Sequence, residues 1–589
     1  MADLSLQLQA DNLPRETIEQ LLVEGHWAPI LARLQTGENL LLEGCRGVGK
    51  TMFMRAASAR LAQRAKDGGK VLGVHTTFKR YLATIPPPGS PDSAERGKFK
   101  AWVNARILGA LSDQVRAVFP DRAHDLGGIV TSVNWNQVFG ILETTYRGDN
   151  GDKQFHALLQ AGLSEAQIPA LEGYTFTVDA IQAVRKAFGM DLLVFLLDDA
   201  AHALDTRAQG EFFTLIKSLY SEGLAYKISV YPAVTRYGLD FSYGHDAVVV
   251  SLGDLPSPNG MEAFFGLLER RLTISDQESP ADALIRVLLD QHRDWIRLMV
   301  YCSNGNPRGV LKLVSEVLTQ LAGRAPAESR YDDVRSAINL VMDRHLDNMV
   351  PGVIKDLDPR LLKAAELLLG SFREKISSSP LQGSQPRMFL AVTNSMQIPY
   401  MCTAAIKLLV AANVLSASGP ARLSQRENGT AYLLNPGFVF RDNVLGSSAG
   451  TTVSPERWLQ HFDTMSPRIH AEFSRTARLW TDVKMEADRE PSARCVNGHP
   501  MMEMTGLCEQ CGVRALQRGP AEVLLEKDIE VLDLSAALKK RLRESGFTSV
   551  RRVFEATPEE IDAIPYVGEA RAQTIRSAVE AAVDEFFAG

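Results

Sequence analysis

Eight consecutive residues, Gly44-Cys45-Arg46-Gly47-Val48-Gly49-Lys50-Thr51, set three glycines ahead of a lysine and a threonine. Glycines at that spacing let successive backbone N–H groups turn inward on phosphate oxygens. A lysine in the place of Lys50 reaches the β- and γ-phosphates, and a hydroxyl in the place of Thr51 ligates Mg²⁺. The nucleotide-binding set read from this stretch is Gly44, Gly47, Val48, Gly49, Lys50, Thr51 and Met52, with ATP and Mg²⁺ as the implied ligands. A second acidic position closes an apolar run, Asp191-Leu192-Leu193-Val194-Phe195-Leu196-Leu197, followed by Asp198-Asp199. A carboxylate at a strand end holds Mg²⁺ beside a phosphate loop, the role expected of Asp198. Asp199 is the candidate for polarising an attacking water. A strand-end acid also serves as a helix N-cap, and the usual base here is the longer glutamate, so Asp199 stays open.

Two further positions suit a nucleotide switch. Thr235 follows an apolar run and is placed to feel a γ-phosphate, and Arg308, in Gly305-Asn306-Pro307-Arg308, opens a helix from which it could reach the phosphates. The residues expected to carry turnover are thus Lys50, Asp199, Thr235 and Arg308. Arg270 and Arg271 are candidate arginine fingers toward a neighbour's nucleotide, the only sign of nucleotide-dependent homo-oligomers; a lone arginine is more often a surface charge.

Cys495-x3-His499 and Cys508-x2-Cys511 bring together four soft or borderline ligands. Four such ligands close a tetrahedral Zn²⁺ set, which is structural rather than catalytic, and a fragment this short would owe much of its folding to the metal. Cys45, Cys302 and Cys402 are scattered and read as small buried residues, although oxidation of Cys45 would strike the phosphate loop itself.

The elements that must position these groups alternate strand and helix. Helical segments over 1–35 lead into Asn39-Leu40-Leu41-Leu42, the phosphate loop, a helix from Thr51, and the strand Val71-Leu72-Gly73-Val74-His75. That order implies a parallel α/β sheet, because parallel strands need crossover helices, and a helix opening at Thr51 aims its positive dipole end at the phosphates. The expected units are 1–257, an α/β core with N-terminal helices; 258–350, a helical lid; 351–445, helices then a hairpin around Arg426-Glu427-Asn428-Gly429; 446–490, a polar linker; 491–516, a zinc ribbon; and 528–589, a compact helical module. In the last, Thr557-Pro558-Glu559-Glu560 reads as a helix start, and Ile564-Pro565-Tyr566-Val567-Gly568 as a tight turn between helices.

The stretches GCRGVGKT, VHTTFKRYL, LLVFLLDDAAHAL, VYPAVTRYGLDFSYGHDAVVV and GNPRGVLKLV run in this order over about residues 20–350. They resemble bacterial AAA+ ATPases related to the origin-recognition (ORC-type) initiators, and the helices-then-hairpin stretch extends the resemblance to about residue 445. The resemblance implies a multidomain α/β fold: an AAA+ P-loop core, a lid whose second sensor arginine maps onto Arg308, a sensor threonine mapping onto Thr235, and a winged-helix-like domain that commonly touches DNA. Asp199 departs from the family's glutamate, which bears on hydrolysis rather than binding. The C-terminal module resembles a helix-hairpin-helix domain, whose turn N–H groups grip DNA phosphates without reading sequence. Arg571 and Arg576 could add backbone contacts, yet 535–589 holds eight Lys/Arg against nine Asp/Glu, and such modules also dock proteins.

Composition narrows the field. With 589 residues, 45% hydrophobic and 23% charged, the chain has material for several packed cores. A net charge of −6 leaves DNA contact to local patches. No basic-then-apolar leader opens the sequence, and no stretch reaches the roughly 18 apolar residues of a membrane span. Few cysteines argue for a reducing compartment, so the expected location is cytoplasmic. The expected function is an ATP-binding and ATP-hydrolysing AAA+ switch that touches DNA through its C-terminal modules. The alternative is an ATPase-gated signalling or anti-phage defence scaffold that recruits a separate effector protein.

Overall fold

The computed structural model describes residues 13–78, 93–125, 133–143, 151–200, 206–252, 258–272, 279–321, 323–345, 359–382, 385–393, 398–422, 428–446, 452–472 and 477–489. Farther on it describes 493–494, 500–501, 509–511, 522–525, 527–532, 534, 536–556, 558–565, 567–568, 571–572, 574–576, 578–579 and 582.

The apolar runs pair into one parallel sheet: β1 (Leu40–Glu43), β2 (Val71–Thr77), β3 (Leu192–Asp198), β4 (Leu224–Val230) and β5 (Val248–Ser251), in the order β2-β3-β4-β1-β5. β3 is apolar on both faces up to Asp198 because helices cover both faces of a parallel sheet, whereas β4 also carries the buried Lys227 and Ser229. Leu40, Leu42, Val194 and Leu196 face the helix Lys50–Lys66 and the N-terminal helices Arg15–Leu21 and Ala28–Arg33. Leu41, Leu193, Phe195 and Leu197 face a second layer built on helices Ser93–Val118, Tyr174–Ala187 and Thr206–Ser218. In that layer Trp102 is fully buried among Phe78, Phe99 and Phe139. β5 is a four-residue edge strand that reading by apolar runs does not separate from the loop after β4.

Helices Pro258–Leu272, Pro280–Gln291, Arg293–Cys302, Pro307–Gln320 and Tyr331–Asp343 form a helical unit over the stretch expected to be a lid, and it keeps that label. The second starts at a reciprocal cap: Ser279 Oγ accepts from the Asp282 N–H at 3.1 Å, and Asp282 Oδ2 accepts from the Ser279 N–H at 3.0 Å. Ser279→Ala is expected to lower stability by about 1 kcal/mol, read as a fall in the urea midpoint.

The lid shares one continuous core with the next unit. There β6 (Leu381–Gln382) and β7 (Gln385–Pro386) make a small hairpin. β8 (Phe389–Thr393), β9 (Leu415–Arg422), β10 (Asn428–Leu434) and β11 (His470–Glu472) form a sheet ordered β11-β8-β10-β9, beside helices Pro359–Ser378 and Tyr400–Ala411. The hairpin is β9–β10, but Asn428 and Gly429 begin β10, opposite Arg422 and Ala421, rather than forming its turn. Residues 423–427 lie outside the described residues.

The stretch 446–490 is not a linker. Helices Pro455–Asp463 and Ala477–Ala487 bury Trp458, Phe462 and Trp480 in the lid core, and Asp463 accepts from Arg297 and from the Tyr301 hydroxyl at 2.8 and 2.7 Å. Its polar composition hid apolar anchors at helical spacing, Trp458, Leu459 and Phe462 on one helix and Trp480 and Val483 on the other, the signal that outweighs average polarity.

Near the cysteines, β12 (Ala493–Arg494) and β13 (Pro500–Met501) pair antiparallel on either side of 495–499. Cys495, His499 and Cys508 lie outside the described residues, and Cys511 is half-buried; among the described residues no group of three or more metal-ligating side chains gathers. The C-terminal module packs Leu525, Ile529, Leu542, Val550, Ile561, Ile564, Val567 and Ile575 into its own core. The helix Pro558–Asp562 follows Thr557, which lies outside the described residues. Val567 N–H closes the turn on Ile564 O at 2.9 Å, and the Gly568 carbonyl accepts from Arg571 and Ala572, the first bonds of the next helix. Among the described residues no helix is long and apolar enough to cross a membrane.

Candidate functional site

The phosphate loop leaves the carboxyl end of β1, between β4 and β5, where open parallel sheets place ligand crevices. Its backbone needs glycine at two points: Gly47 and Gly49 have φ of +85° and +102°. Gly47 is also a contact point, since a Cβ there would sit 2.6 Å from Asn306 Oδ1 and 2.8 Å from Arg308 Cβ. A Cβ on Gly44 would meet Leu252 O at 2.5 Å, just beyond β5. Lys50 opens the following helix with its side chain buried. Its Nζ donates to Gly44 O at 2.5 Å and Cys45 O at 3.1 Å, and lies 4.2 Å from the centre of the Tyr231 ring. Burial lowers its pKa to about 8.

Asp198 is fully buried on the sheet face that the Lys50 helix covers. One oxygen, Oδ1, accepts from Ser229 Oγ at 2.6 Å and from the Asp199 N–H at 3.0 Å. The other, Oδ2, is buried without a hydrogen-bond partner. Burial works to raise this carboxyl, but the His75 imidazole and the hydroxyls of Ser229 and Thr51 outweigh it and hold the group well below the usual carboxylate range. A carboxylate kept ionised, with a free buried oxygen close to Thr51, fits a Mg²⁺ site formed by Thr51 and Asp198. Asp199 turns the chain through φ +55°, its N–H also caught by Ser229 Oγ at 2.9 Å. That turn brings Asp199 to the cleft wall.

The lid closes the other side. Asn306 caps the helix Pro307–Gln320, accepting from the Gly309 N–H at 3.1 Å, and its Nδ2 donates to Arg46 O in the phosphate loop at 2.6 Å. Arg308 N–H donates to Gly47 O at 3.3 Å, and the Arg308 side chain lines the cleft opposite Lys50 and Asp199. The deep end is apolar: Trp27 meets Phe53 and Phe264 edge-on, at centroid separations of 6.1 and 6.4 Å, beside Leu267 and Leu311. A planar base would bury its faces there, with its phosphates at the glycine-rich end.

The structure thus gathers Gly47, Val48, Gly49, Lys50, Thr51, Met52, Asp199 and Arg308 around one cleft, with Asp198 behind Thr51. Thr235 is not on its wall. Its hydroxyl accepts from the Tyr231 N–H and donates to Tyr231 O, both at 2.9 Å, so it fixes the turn that presents the Tyr231 ring. The finger readings also change. Arg271 is buried in the wall of this same cleft, and burial lowers its pKa to about 10. Arg270 donates to Gln20 O of its own chain at 3.3 Å. The half-buried Cys45 donates its thiol to Val410 O at 3.3 Å, and desolvation pushes its pKa up to about 11, which keeps it protonated. Reasoning from sequence did not single out Trp27, Phe53, Phe264, Arg46, Tyr231, Asn306 or His75 as site residues. Only Asn306, a helix-capping type just before Pro307, carried a local signal.

No protein-family model matches the chain, and no curated protein matches it. Among solved structures it is similar to the Aeropyrum pernix Orc1 protein in complex with DNA, at 14% identity over 75% of this chain and 95% of that one, with a TM-score of 0.29. It is similar to Drosophila ORC bound to DNA, at 11% identity over 74% and 93%, TM-score 0.27. It is also similar to AMPPCP-bound DnaA from Aquifex aeolicus, at 14% identity over 68% and 90%, TM-score 0.25. The reading of the site rests on its own geometry.

Proposed function

We propose that the chain is an AAA+-type ATP-driven switch: it binds ATP with Mg²⁺, hydrolyses it, and passes the nucleotide state through its lid to C-terminal modules that contact the DNA backbone. The observation that carries this reading is the clamp of lid on phosphate loop, in which Asn306 and Arg308 bond the carbonyls of Arg46 and Gly47. Any movement of that loop on phosphate binding is felt by a helix whose core continues into the β8–β11 unit. In this reading Lys50 and the loop N–H groups hold the phosphates, Thr51 and Asp198 hold Mg²⁺, Asp199 orients water, and Arg308 reports on the nucleotide. Thr235 acts through Tyr231. Bound Mg²⁺ would offset the phosphate charges during transfer. The β8–β11 unit serves as a winged-helix-like domain, Zn²⁺ on Cys495, His499, Cys508 and Cys511 as a structural tie, and the turn at 564–568 as a helix-hairpin-helix grip.

One observation favours the second reading, a scaffold whose C-terminal module docks an effector protein. Basic residues of that module are neutralised within it: Arg543 pairs with Asp528 at 2.8 Å and Glu530 at 2.9 Å, and Arg552 with Glu560 at 3.5 Å. Duplex DNA titrations over a range of salt separate the two, run beside steady-state ATPase assays with and without DNA. Backbone binding should give a log-affinity slope of about −0.9 per phosphate contacted and stimulate turnover. A slope near zero would remove DNA from the reading, and failure to bind ATP would remove the switch.

A further inference from the structure

Behind the phosphate loop, β2 presents polar side chains on the sheet face that also carries Asp198 and Ser229. β2 and β3 pair in parallel with His75 opposite Leu196 and Thr77 opposite Asp198, so His75, Thr77 and Asp198 share the face covered by the Lys50 helix. Side chains alternate along a strand, and the intervening Val74 packs into the opposite layer. Gly73, two residues before His75, lets that helix lie close: a Cβ there would meet Leu61 Cδ1 at 2.9 Å. Three buried polar atoms on this face lack hydrogen-bond partners in the protein: His75 Nε2, Thr77 Oγ1 and Asp198 Oδ2. His75 Nε2 and Asp198 Oδ2 are 3.7 Å apart, beyond hydrogen-bonding distance. Asp198 Oδ1 is committed to Ser229 and to the Asp199 N–H, which leaves Oδ2 for anything near Thr51.

Buried polar groups are almost always satisfied, and two unsatisfied atoms 3.7 Å apart, His75 Nε2 and Asp198 Oδ2, point to a ligand whose binding completes them. A metal-binding carboxylate depends on outer partners that fix its orientation, and removing such a partner typically costs about 10–100-fold in metal affinity.

We propose that His75 is a positioning residue for the divalent cation of the nucleotide: when the cation binds, its Nε2 closes the 3.7 Å gap to hydrogen-bond the Asp198 Oδ2 edge and holds that oxygen toward Thr51. This rests on the reading of the cleft as an ATP–Mg²⁺ site. His75 touches neither nucleotide nor reacting atoms. Its contribution is confined to the Mg²⁺-dependent part of binding, which distinguishes it from a residue that merely supports the fold.

The test is binding of a fluorescent ATP analogue to the full chain, in EDTA and across a Mg²⁺ titration at fixed pH. His75→Ala should raise the Mg²⁺ concentration for half-maximal tightening about tenfold. Its affinity in EDTA should stay within about twofold of wild type, and His75→Gln, whose amide can donate at the same edge, should recover most of the Mg²⁺ response. If His75→Ala does not fold, His75→Phe keeps the ring volume without the nitrogens and should show the same rise. An unchanged Mg²⁺ midpoint would overturn the inference, as would an equal loss of affinity with and without Mg²⁺. Wild-type protein that binds the analogue but fails this comparison leaves the ATP reading standing; wild-type protein that binds no analogue overturns both.

Discussion

Lys50→Ala should weaken ATP binding by more than about 100-fold, equivalent to roughly 3 kcal/mol of charge-assisted hydrogen bonding, and reduce turnover to background. The folded protein should be no less stable for the change. The Lys50 ammonium is buried against two carbonyls and an aromatic ring with no carboxylate bonded to it, and burial lowers its pKa from 10.5 to about 8. The unfolded chain therefore binds more protons than the folded chain between pH 8 and 10.5. Stability contributed at this position rises with pH across that window and is lowest below it. At pH 7 the unliganded protein carries the cost of a buried charge, which the alanine variant lacks. Phosphates reverse the preference because they bind the protonated amine. Wild-type ATP affinity should accordingly be flat below pH 8 and fall as pH rises through 8, while the residual affinity of Lys50→Ala should show no such fall. Calorimetric titration at pH 7 and pH 9, with thermal melts of both proteins without nucleotide, checks all three statements. A variant that hydrolyses ATP at the wild-type rate would sink the site.

The part of this site that was legible in the sequence is the part made by contiguous residues. Glycine spacing at 44–49 reports a backbone path directly, because only particular residues tolerate φ of +85° and +102° at Gly47 and Gly49. The seven-residue β3 was visible for a similar reason: a strand buried on both faces is apolar throughout, and the first polar residue marks its end at Asp198. Residues joined only by the fold were not legible. Trp27 and Phe264 are far apart in the chain and meet because the N-terminal helices and the first lid helix lie against the same loop. His75 reads in sequence as one polar residue in an apolar strand, and its relation to Asp198 depends on a parallel register that no local pattern encodes. Arg271 failed in the opposite direction: neighbouring arginines near a helix end looked like exposed charges reaching outward, whereas helix rotation buries Arg271 in the chain's own cleft and leaves Arg270 outside. The linker reading of 446–490 erred because average polarity conceals an amphipathic stripe carrying Trp458, Leu459 and Phe462.

Asn306→Leu should separate lid from loop, with a loss of about 2–4 kcal/mol in stability from two buried groups left without partners. The side chain is almost wholly buried and makes two different bonds. Through Oδ1 it caps the helix Pro307–Gln320, and through Nδ2 it ties that cap to Arg46 O across 260 residues of chain. Leucine removes both, so its effect alone does not say which matters for nucleotide. Asn306→Asp resolves them, because a carboxylate still caps Gly309 N–H but cannot donate to the Arg46 carbonyl. Aspartate is as good an N-cap as asparagine, so the helix itself should lose almost nothing. If the clamp is what couples lid to phosphate loop, Asn306→Asp should lower ATP affinity about tenfold or more through the lost donor and the new repulsion, an effect of at least roughly 1.4 kcal/mol. The neighbouring Asn304, which donates to Asn413 Oδ1 at 2.9 Å and Ser416 Oγ at 2.6 Å, anchors the same lid corner to the β9–β10 hairpin. Loosening the Arg46 bond should therefore also remove the nucleotide's effect on protease sensitivity of that hairpin, because the corner would no longer follow the loop. Nucleotide titration and limited proteolysis of the two variants, each with and without ATP, measure the coupling directly. Wild-type affinity in Asn306→Asp would mean that Arg308 alone carries the lid's response.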